Sequence, residues 1–189
     1  MAATAVEICN RALNAVGQAA ITALDEGTAR ADLCNRLYTD LRDELLQDHP
    51  WNFAIRRDTP AASATEPAFE WDYAFPMHAD ALRVLSVNED WQHATWVVEG
   101  REILTNEPAP VYVRYVSKDV TEDTFPPLFT GALVLRIAMD LAMPLTESGT
   151  RREALAKQYQ VAIRMARGAD ARESGPHRYT VETLIDARR

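Results

Sequence analysis

The stretch PPLFTGALVLRIAMDLAMP, residues 126–144, decides the fold of this 189-residue chain. The two prolines that open it fit the first turn of a helix, and Pro144 predicts the helix end. The residues between them are apolar almost all round, which predicts a helix buried between other helices. Arg136 and Asp140 lie near its centre, where each would cost about 2.5–3.5 kcal/mol in a bilayer but little as an i,i+4 pair. We therefore interpret the stretch as a core helix and not as a membrane span.

Two amphipathic helices near the N-terminus supply packing partners for this core helix. Thr4 and Glu7 have capping-box spacing, and the apolar pattern that follows predicts a helix over residues 5–16. A second apolar pattern, capped by Thr28, predicts a longer helix that ends near Asp48, before a proline.

A fourth helix is predicted after the core helix. Thr150 and Glu153 repeat the capping-box spacing, and apolar positions on one face continue to a predicted end near Gly168. Residues 169–189 have few apolar positions and four arginines, a composition compatible with a docking tail or with a frayed end.

The region between the two helix pairs has a different character. Residues 59–67 are rich in Ala, Pro, Ser and Thr and predict a loop. Alternating and β-branched runs then predict strands, and Glu99-Gly100 predicts a hairpin turn, because Gly100 supplies the positive φ that such a turn needs. These predicted strands are residues 82–87, 94–98, 102–105 and 111–116.

Together these patterns predict an α+β fold with a four-helix core, an inserted antiparallel β module and an extended C-terminal tail. Residues 1–57 and 126–168 are expected to build the helical core. Residues 58–125 are expected to form the β-rich insertion, and residues 169–189 the docking tail.

The charge of the chain is unevenly distributed. Its 28 acidic and 20 basic side chains give a net charge of −8. Residues 1–57 carry a net charge of −2, residues 58–129 carry −9 and residues 130–189 carry +3. Proteins that bind nucleic acid need basic side chains to displace counterions, so this balance argues against nucleic-acid recognition. The basic C-terminal part instead favours contact with a protein partner.

The cysteines and the N-terminal residues indicate the cellular compartment in which the protein is expected. Cys9 and Cys34 both lie in helical patterns, and two cysteines are too few for a disulfide framework. Buried free thiols in a reducing compartment are therefore expected. The N-terminal residues lack the basic and apolar segments of a signal peptide.

A search for catalytic, cofactor and metal motifs finds none in the sequence. No two of the four histidines have metal-ligand spacing, and His78-x-Asp80 is interpreted as a surface turn. Nucleophile-elbow, Walker A and dinucleotide-binding motifs are missing as well. The chain is therefore expected to be no enzyme and to hold no cofactor.

Acidic and aromatic residues of the middle region leave two alternatives open. Carboxylates there are interpreted as solvated or partner-facing, unless two of them meet in a pocket that only the folded chain builds. They are Glu66, Glu70, Asp72, Asp80, Glu89, Asp90, Glu99 and Glu102. The tryptophans Trp71, Trp91 and Trp96 are either core or interface anchors.

Several blocks of the chain resemble the tail tubular protein A family, the adaptors, or head-to-tail connectors, of short-tailed phages. HPWNFA, residues 49–54, and VEGR, residues 98–101, are the most distinctive blocks, although neither encodes chemistry. The resemblance covers roughly residues 5–170. The further blocks are residues 8–17, 21–28, 41–46, 73–76, 82–85, 96–104 and 128–146.

The resemblance implies a structural virion protein that assembles in the host cytoplasm. Members of the family form a ring, usually a dodecamer, between the portal protein and the distal, nozzle-type tail protein, and DNA passes through the centre. Twelve copies with a net charge of −8 would carry −96 formal charges. An acidic channel repels phosphates, so the genome would slide without binding.

The resemblance does not extend to the C-terminal tail, and our own hypothesis assigns where partners bind. The helical core is expected to make subunit contacts, and the tail is expected to contact the portal through Arg172, Arg178, Tyr179, Arg188 and Arg189. The β module, with Trp91 and Trp96, is expected to face the distal tail protein. Alternatives are a non-phage helical interaction module, and a small hydrolase whose carboxylates pair only in three dimensions.

Overall fold

The structure, a computed structural model, describes residues 4–88 and 95–173. Within them the helices are α1 (Ala5–Ala15), α2 (Ala29–Asp48), α3 (Pro127–Thr146) and α4 (Gly149–Glu173). The strands are β1 (Ile55–Asp58), β2 (Tyr73–Pro76), β3 (Ala81–Val87), β4 (Trp96–Glu99), β5 (Glu102–Thr105) and β6 (Val113–Ser117). One-turn 3-10 helices lie at Asn52–Ala54 and Glu122–Thr124. The predicted α+β class is confirmed, and the described strands all lie between α2 and α3.

Local capping explains where the first two helices begin. Thr4 Oγ1 accepts a hydrogen bond from the Glu7 backbone N–H at 3.2 Å, and the Thr4 N–H donates to the Glu7 carboxylate at 2.9 Å. Thr28 Oγ1 accepts from the Ala31 N–H at 3.3 Å at the start of α2. Both predicted N-termini are therefore confirmed, because a capping pair depends only on residues three positions apart.

The prediction that Pro144 ends the core helix is wrong. α3 continues through Pro144 to Thr146, and Glu147 then adopts a left-handed conformation with φ 51°. Its backbone N–H donates to the Met143 carbonyl at 3.0 Å. A proline in the last turn removes one backbone donor but leaves the remaining carbonyls of that turn free to accept a C-terminal cap.

The predicted bounds of the fourth helix are also wrong at both ends. α4 begins at Gly149, and Ser148, rather than Thr150, accepts a hydrogen bond from the Arg151 N–H, at 3.2 Å. The helix passes Gly168 and ends at Glu173, so residues 169–173 are helical. A glycine lowers helix propensity by only about 1 kcal/mol, which tertiary packing readily offsets.

Two three-stranded antiparallel sheets form the insertion. Sheet A has the order β1-β6-β3, and sheet B has the order β2-β5-β4. Strands β1 and β2 were not predicted, because each has four residues and neither alternates cleanly. The hairpin between β4 and β5 is confirmed, but its turn residues are Gly100 and Arg101, both with positive φ, and the predicted turn residue Glu99 belongs to β4.

Two hydrophobic clusters organise the molecule. The first surrounds α3 and includes buried side chains from all four helices together with Val116 of β6. The second lies between the sheets, where Phe75 and Ile103 of sheet B meet Val84 and Tyr115 of sheet A. Sheet A therefore packs on helices with one face and on sheet B with the other.

Helix α3 is, among the described residues, the one helix long and apolar enough to cross a bilayer by length and composition. Half of its most apolar window is buried within the chain, as in the core helix of a globular domain. Arg136 and Asp140 form the expected i,i+4 pair, with Nη1 and Oδ2 2.7 Å apart.

Candidate interaction surfaces

The predicted portal-binding residues fall mostly outside the described part of the chain. Arg172 is exposed in the last turn of α4. The other four, Arg178, Tyr179, Arg188 and Arg189, lie beyond residue 173. Residues 169–173, predicted to begin the tail, belong to α4, where Asp170 is buried and bonded to another segment.

Of the residues predicted to face the distal tail protein, one is described by the structure and one is not. Trp96 in β4 is half-buried and packs against the cluster between the sheets. Trp91 lies outside the described residues. Trp71 is also half-buried, whereas Phe69, which no sequence pattern indicated, is 78 % exposed. The most exposed large apolar side chain described near sheet B is thus a phenylalanine.

The outer face of α4 carries exposed apolar side chains. Val161 and Met165 are four positions apart and are 50 % and 57 % exposed. Leu155 and Ile163 face the core from the same helix. Apolar side chains exposed on one helical face are a common feature of protein interfaces. Exposed basic residues flank this apolar pair along α4, namely Lys157, Arg164 and Arg172.

The HPWNFA block ties α4 to the segment between α2 and β1. The Asn52 backbone N–H donates to Asp170 Oδ1 at 2.9 Å, and the Asn52 side-chain amide donates to the Asp170 carbonyl at 2.7 Å. His49 Nε2 lies 3.1 Å from Asp170 Oδ2. Trp51 is fully buried, and its indole N–H donates to the Leu45 carbonyl at 2.8 Å. These contacts give the block a structural role.

Two other sequence blocks that resemble the family also hold neighbouring segments together through hydrogen bonds. The Asn10 side chain exchanges hydrogen bonds with both backbone groups of Ile21, at 2.8 and 2.9 Å. The carboxylate of Glu26 accepts from the Thr22 backbone and hydroxyl and from the Thr28 hydroxyl. These hydrogen bonds, led by the one from the Thr22 backbone, lower the pKa of Glu26 to about 2.

A cleft at one end of sheet A is lined by charged side chains. Its volume is about 960 Å³. Arg57 and Arg114 stand directly opposite each other in the β1–β6 register, and Ser86 is opposite Arg114 on β3. Cross-strand partners share a face, so both guanidinium side chains belong to one side of the sheet. We call this site the arginine cleft; its polar lining is Arg57, Asp58, Thr59, Ser86, Asn88 and Arg114.

A tight turn in the loop before β2 presents the exposed Phe69. Glu70 has φ 72°, and the Trp71 N–H donates to the Phe69 carbonyl at 2.9 Å. This combination is a γ-turn of the rare positive-φ kind, which is strained for a residue other than glycine. Residues 66–70, EPAFE, are called the Phe69 loop below; Glu66 and Glu70 in it are exposed.

A second polar cluster joins the ends of β3 and β6. The Ser117 hydroxyl donates to Asp80 Oδ2, and His78 Nδ1 lies against Asp80 Oδ1. The Lys118 N–H donates to the Asp80 carbonyl at 2.9 Å, and the His78 ring stacks on Tyr115 with centroids 5.8 Å apart. His78-x-Asp80 is thus part of a turn, as predicted, but Asp80 also fastens two strands.

The ionisation of this cluster follows from its contacts. The hydrogen bond to Asp80, reinforced by its charge, raises the pKa of His78. Burial works to raise the pKa of Asp80, but hydrogen bonds from Ser117 and His78 outweigh it and lower that pKa. Burial, with the Asp80 charge, raises the pKa of Tyr115 to about 12. In this arrangement Ser117 donates to a carboxylate and not to a histidine, unlike a catalytic triad.

One shallow groove holds two carboxylates. Glu44 and Asp48 line a space of about 220 Å³ between α2, α3 and α4. Arg136 Nη2 lies 3.1 Å from Glu44, and Arg167 pairs with Asp48. The two carboxylates are 61 % and 52 % exposed. Each carboxylate is ion-paired with an arginine, which is typical of a surface ion-pair network rather than of a catalytic acid–base pair.

The two cysteines are buried free thiols, as predicted. A hydrogen bond with Cys34, together with burial, raises the pKa of the Cys9 thiol. Within residues 4–88 and 95–173, no group of three or more histidine, cysteine or acidic side chains is arranged to hold a metal ion.

The sequence patterns do not predict the arginine cleft or the Phe69 loop, two features that carry opposite charge. Arg57 and Arg114 meet only because β1 pairs with β6, and β1 has no strand signature. Glu66, Phe69 and Glu70 lie in a stretch without periodicity, where only the isolated aromatic residue gives a signal. No protein-family model matches the chain, and a comparison with curated proteins finds no match.

Proposed function

We propose that the chain is a head-to-tail adaptor, a structural virion protein that forms a ring between a portal and a distal tail protein. The resemblance of its sequence blocks is the starting point. The observation that carries the proposal is the outer face of α4, where Val161 and Met165 are exposed beside arginines. This face leads directly into the segment expected to dock on the portal.

The structural role of the matching blocks supports the proposal. HPWNFA fastens α4 to the rest of the molecule, and VEGR contributes the β4–β5 turn. In an enzyme family, the most distinctive blocks usually carry the chemistry. Here they maintain the shape of a subunit, which suits a protein whose task is assembly.

We also propose that the four helices act as one core that makes the contacts between subunits. α3 packs against α1, α2 and α4, and Trp51 and Phe129 are buried in the same cluster, with ring centroids 5.0 Å apart. A rigid helical unit can hold neighbouring copies at a constant angle, which a closed ring requires.

The charge of the chain suits a ring around DNA. Twelve copies, each with a net charge of −8, would surround the duplex with negative charge. Phosphates are repelled by such a lumen, so DNA passes without specific binding. Contacts to the portal would then use the basic C-terminal part of the chain.

The decisive experiment mixes the purified chain with portal rings of its own phage and examines the particles by negative-stain electron microscopy. An added ring of density beneath the portal is expected. If the chain remains a monomer or dimer and the portals stay bare, the adaptor proposal is wrong and the non-phage interaction module is favoured.

A truncation tests the portal contact separately. Deleting residues 174–189 should abolish portal binding and leave the fold intact, as judged by circular dichroism. The cut must follow Glu173, because Asp170 holds Asn52 and a shorter chain would lose a structural contact. Assembly of the truncated chain on portals would show that the tail assignment is wrong.

Negative charge placed on α4 tests whether its exposed apolar face lies in an interface. V161E/M165E should weaken assembly about tenfold or more, since burying a charge in an apolar contact costs at least about 1.4 kcal/mol. The matched control Q160E adds one charge at a polar, exposed position on a different face of the same helix and should assemble normally. Equal behaviour of the two variants would remove α4 from the interface.

A further inference from the structure

The arginine cleft and the Phe69 loop are complementary in charge, yet they are separate parts of the chain. The cleft offers two guanidinium groups, one carboxylate (Asp58) and the exposed ring of Tyr112. The loop offers an exposed phenylalanine between two exposed carboxylates. Phe69 is 78 % exposed, so the loop does not fill the cleft of its own chain.

Within residues 4–88 and 95–173, part of the hydrogen-bonding capacity of the cleft has no partner. Arg114 Nε is buried without a hydrogen-bond partner among the described residues. Arg57 faces Arg114 directly across the strand pair, and like charges in that position repel. Asp58 offsets one positive charge, and its Oδ1 already accepts from the Thr59 N–H at 2.7 Å. A carboxylate from outside would relieve the repulsion and bond a guanidinium in a bidentate manner.

The Phe69 loop is held outward by both of its flanks. Before it, the Ser63 N–H donates to the Ala74 carbonyl at 2.8 Å, and the Ser63 hydroxyl donates to Glu102 at 3.0 Å. After it, the Asp72 N–H donates to Asn106 at 2.9 Å. The strained turn at Glu70 lies between these anchors, and strain of this kind persists chiefly where a protein binds something.

We propose that the Phe69 loop of one copy docks in the arginine cleft of the next copy. Glu66 and Glu70 accept hydrogen bonds from Arg57 and Arg114, and Phe69 lies against Tyr112. The inference rests on the proposed ring, because it names a contact between neighbouring copies. Two different surfaces that join head to tail form a ring when the rotation between copies closes.

A cross-linking experiment tests the contact directly. One batch carries A68C in the loop and a second carries T59C in the cleft; both positions are exposed, while the native Cys9 and Cys34 are buried. Mixing the two batches at high concentration under mild oxidation should give the mixed disulfide dimer well above the 50 % of random pairing. A random distribution, or no dimer while both thiols react freely with a thiol reagent, would overturn the proposal.

Charge reversal tests whether ion pairs between the loop and the cleft hold the two copies together. R57E in the T59C batch, or E70K in the A68C batch, should each slow cross-linking about tenfold, and combining them should restore most of the rate. The control E99K changes another exposed carboxylate, on the β4–β5 hairpin, and should leave the rate unchanged. A combined variant no faster than either single variant would overturn the assigned pairing.

The portal experiment separates this inference from the proposed function. If R57E protein assembles into normal rings on portals but gives no specific cross-links, the adaptor role is supported and this contact is ruled out. Specific cross-links from a chain that never binds portals would leave the contact standing and remove the adaptor role.

Discussion

The helical part and the sheet part of this molecule differ greatly in the size of their cores. Among the described residues, twenty-eight buried side chains form the cluster around α3, whereas eight form the cluster between the sheets. Strand β6 belongs to both, because Val116 faces the helices while Val113 and Tyr115 face sheet B. Sheet A is therefore anchored on a large core, and sheet B depends on sheet A.

This difference indicates where the chain can present contact residues to a partner without losing its fold. The Phe69 loop is fastened to sheet B, the unit with the smaller core, whereas HPWNFA and α4 are tied to the larger one. Segments used for recognition are commonly drawn from the less stable parts of a protein. A change in sheet B should thus alter contacts more than global stability.

The largest effect is expected from Phe129→Ala in the helical core. Phe129 is fully buried, and its ring lies 4.9 to 5.0 Å from those of Phe53, Trp51 and Phe125. Truncation should lower the free energy of unfolding by about 3–5 kcal/mol, measured by urea denaturation with helical circular dichroism. Leu128→Ala, at a 41 % exposed neighbour, is the control and should cost much less.

A smaller and more local effect is expected from Phe75→Ala between the sheets. Phe75 is fully buried, but the cluster around it is small. We expect a loss of about 3 kcal/mol that is confined to sheet B, so amide hydrogen exchange should accelerate in β2 and β5 and stay slow in α3. Equal acceleration in both regions would mean that the two cores unfold as one unit.

The contact between α4 and the HPWNFA block should contribute less than either core. Asp170→Ala leaves the Asn52 N–H without its 2.9 Å acceptor in a half-buried site. Loss of such a hydrogen bond typically costs about 1–3 kcal/mol, detectable as a lower urea midpoint. Glu173→Ala, three positions further along α4 and exposed, is the matched control and should leave the midpoint unchanged.

The smallest effect is expected from His78→Gln, and it should depend on pH. The pKa of His78 is raised in the folded chain, so its stabilising contribution is fully present below the unfolded pKa. It is lost as the pH rises through the folded value. The urea midpoint of the variant should therefore fall below wild type at about pH 5.5 and match it near pH 9. A pH-independent difference would show that packing against Tyr115 dominates.

The local features of the fold could be predicted from the sequence. The starts of α1 and α2 followed from capping residues, and the β4–β5 hairpin followed from Gly100 between two β-like runs. Strands β1 and β2 could not be predicted, because four residues without alternation carry too little signal. Pro144 misled the prediction of the α3 end, since a proline in the last turn removes only a single donor.

The candidate surfaces were much less accessible to prediction. Arg172 and Trp96 were singled out from composition, and the structure places the first on an exposed helix end and the second half inside a cluster. The arginine cleft was missed because its two cations come from strands far apart in the chain. Side chains that meet through tertiary folding leave no spacing pattern that a sequence search can use.

By itself the sequence determined the α+β class, the burial of the long apolar helix and the acidic character of the chain. Periodicity, capping and charge depend on neighbouring residues, so they are readable before folding. Only the tertiary structure decided that Asp170 fastens Asn52, 118 positions away, and that Arg57 faces Arg114. These contacts depend on strand pairing and helix packing, whose free energies come from the whole core and not from any local stretch.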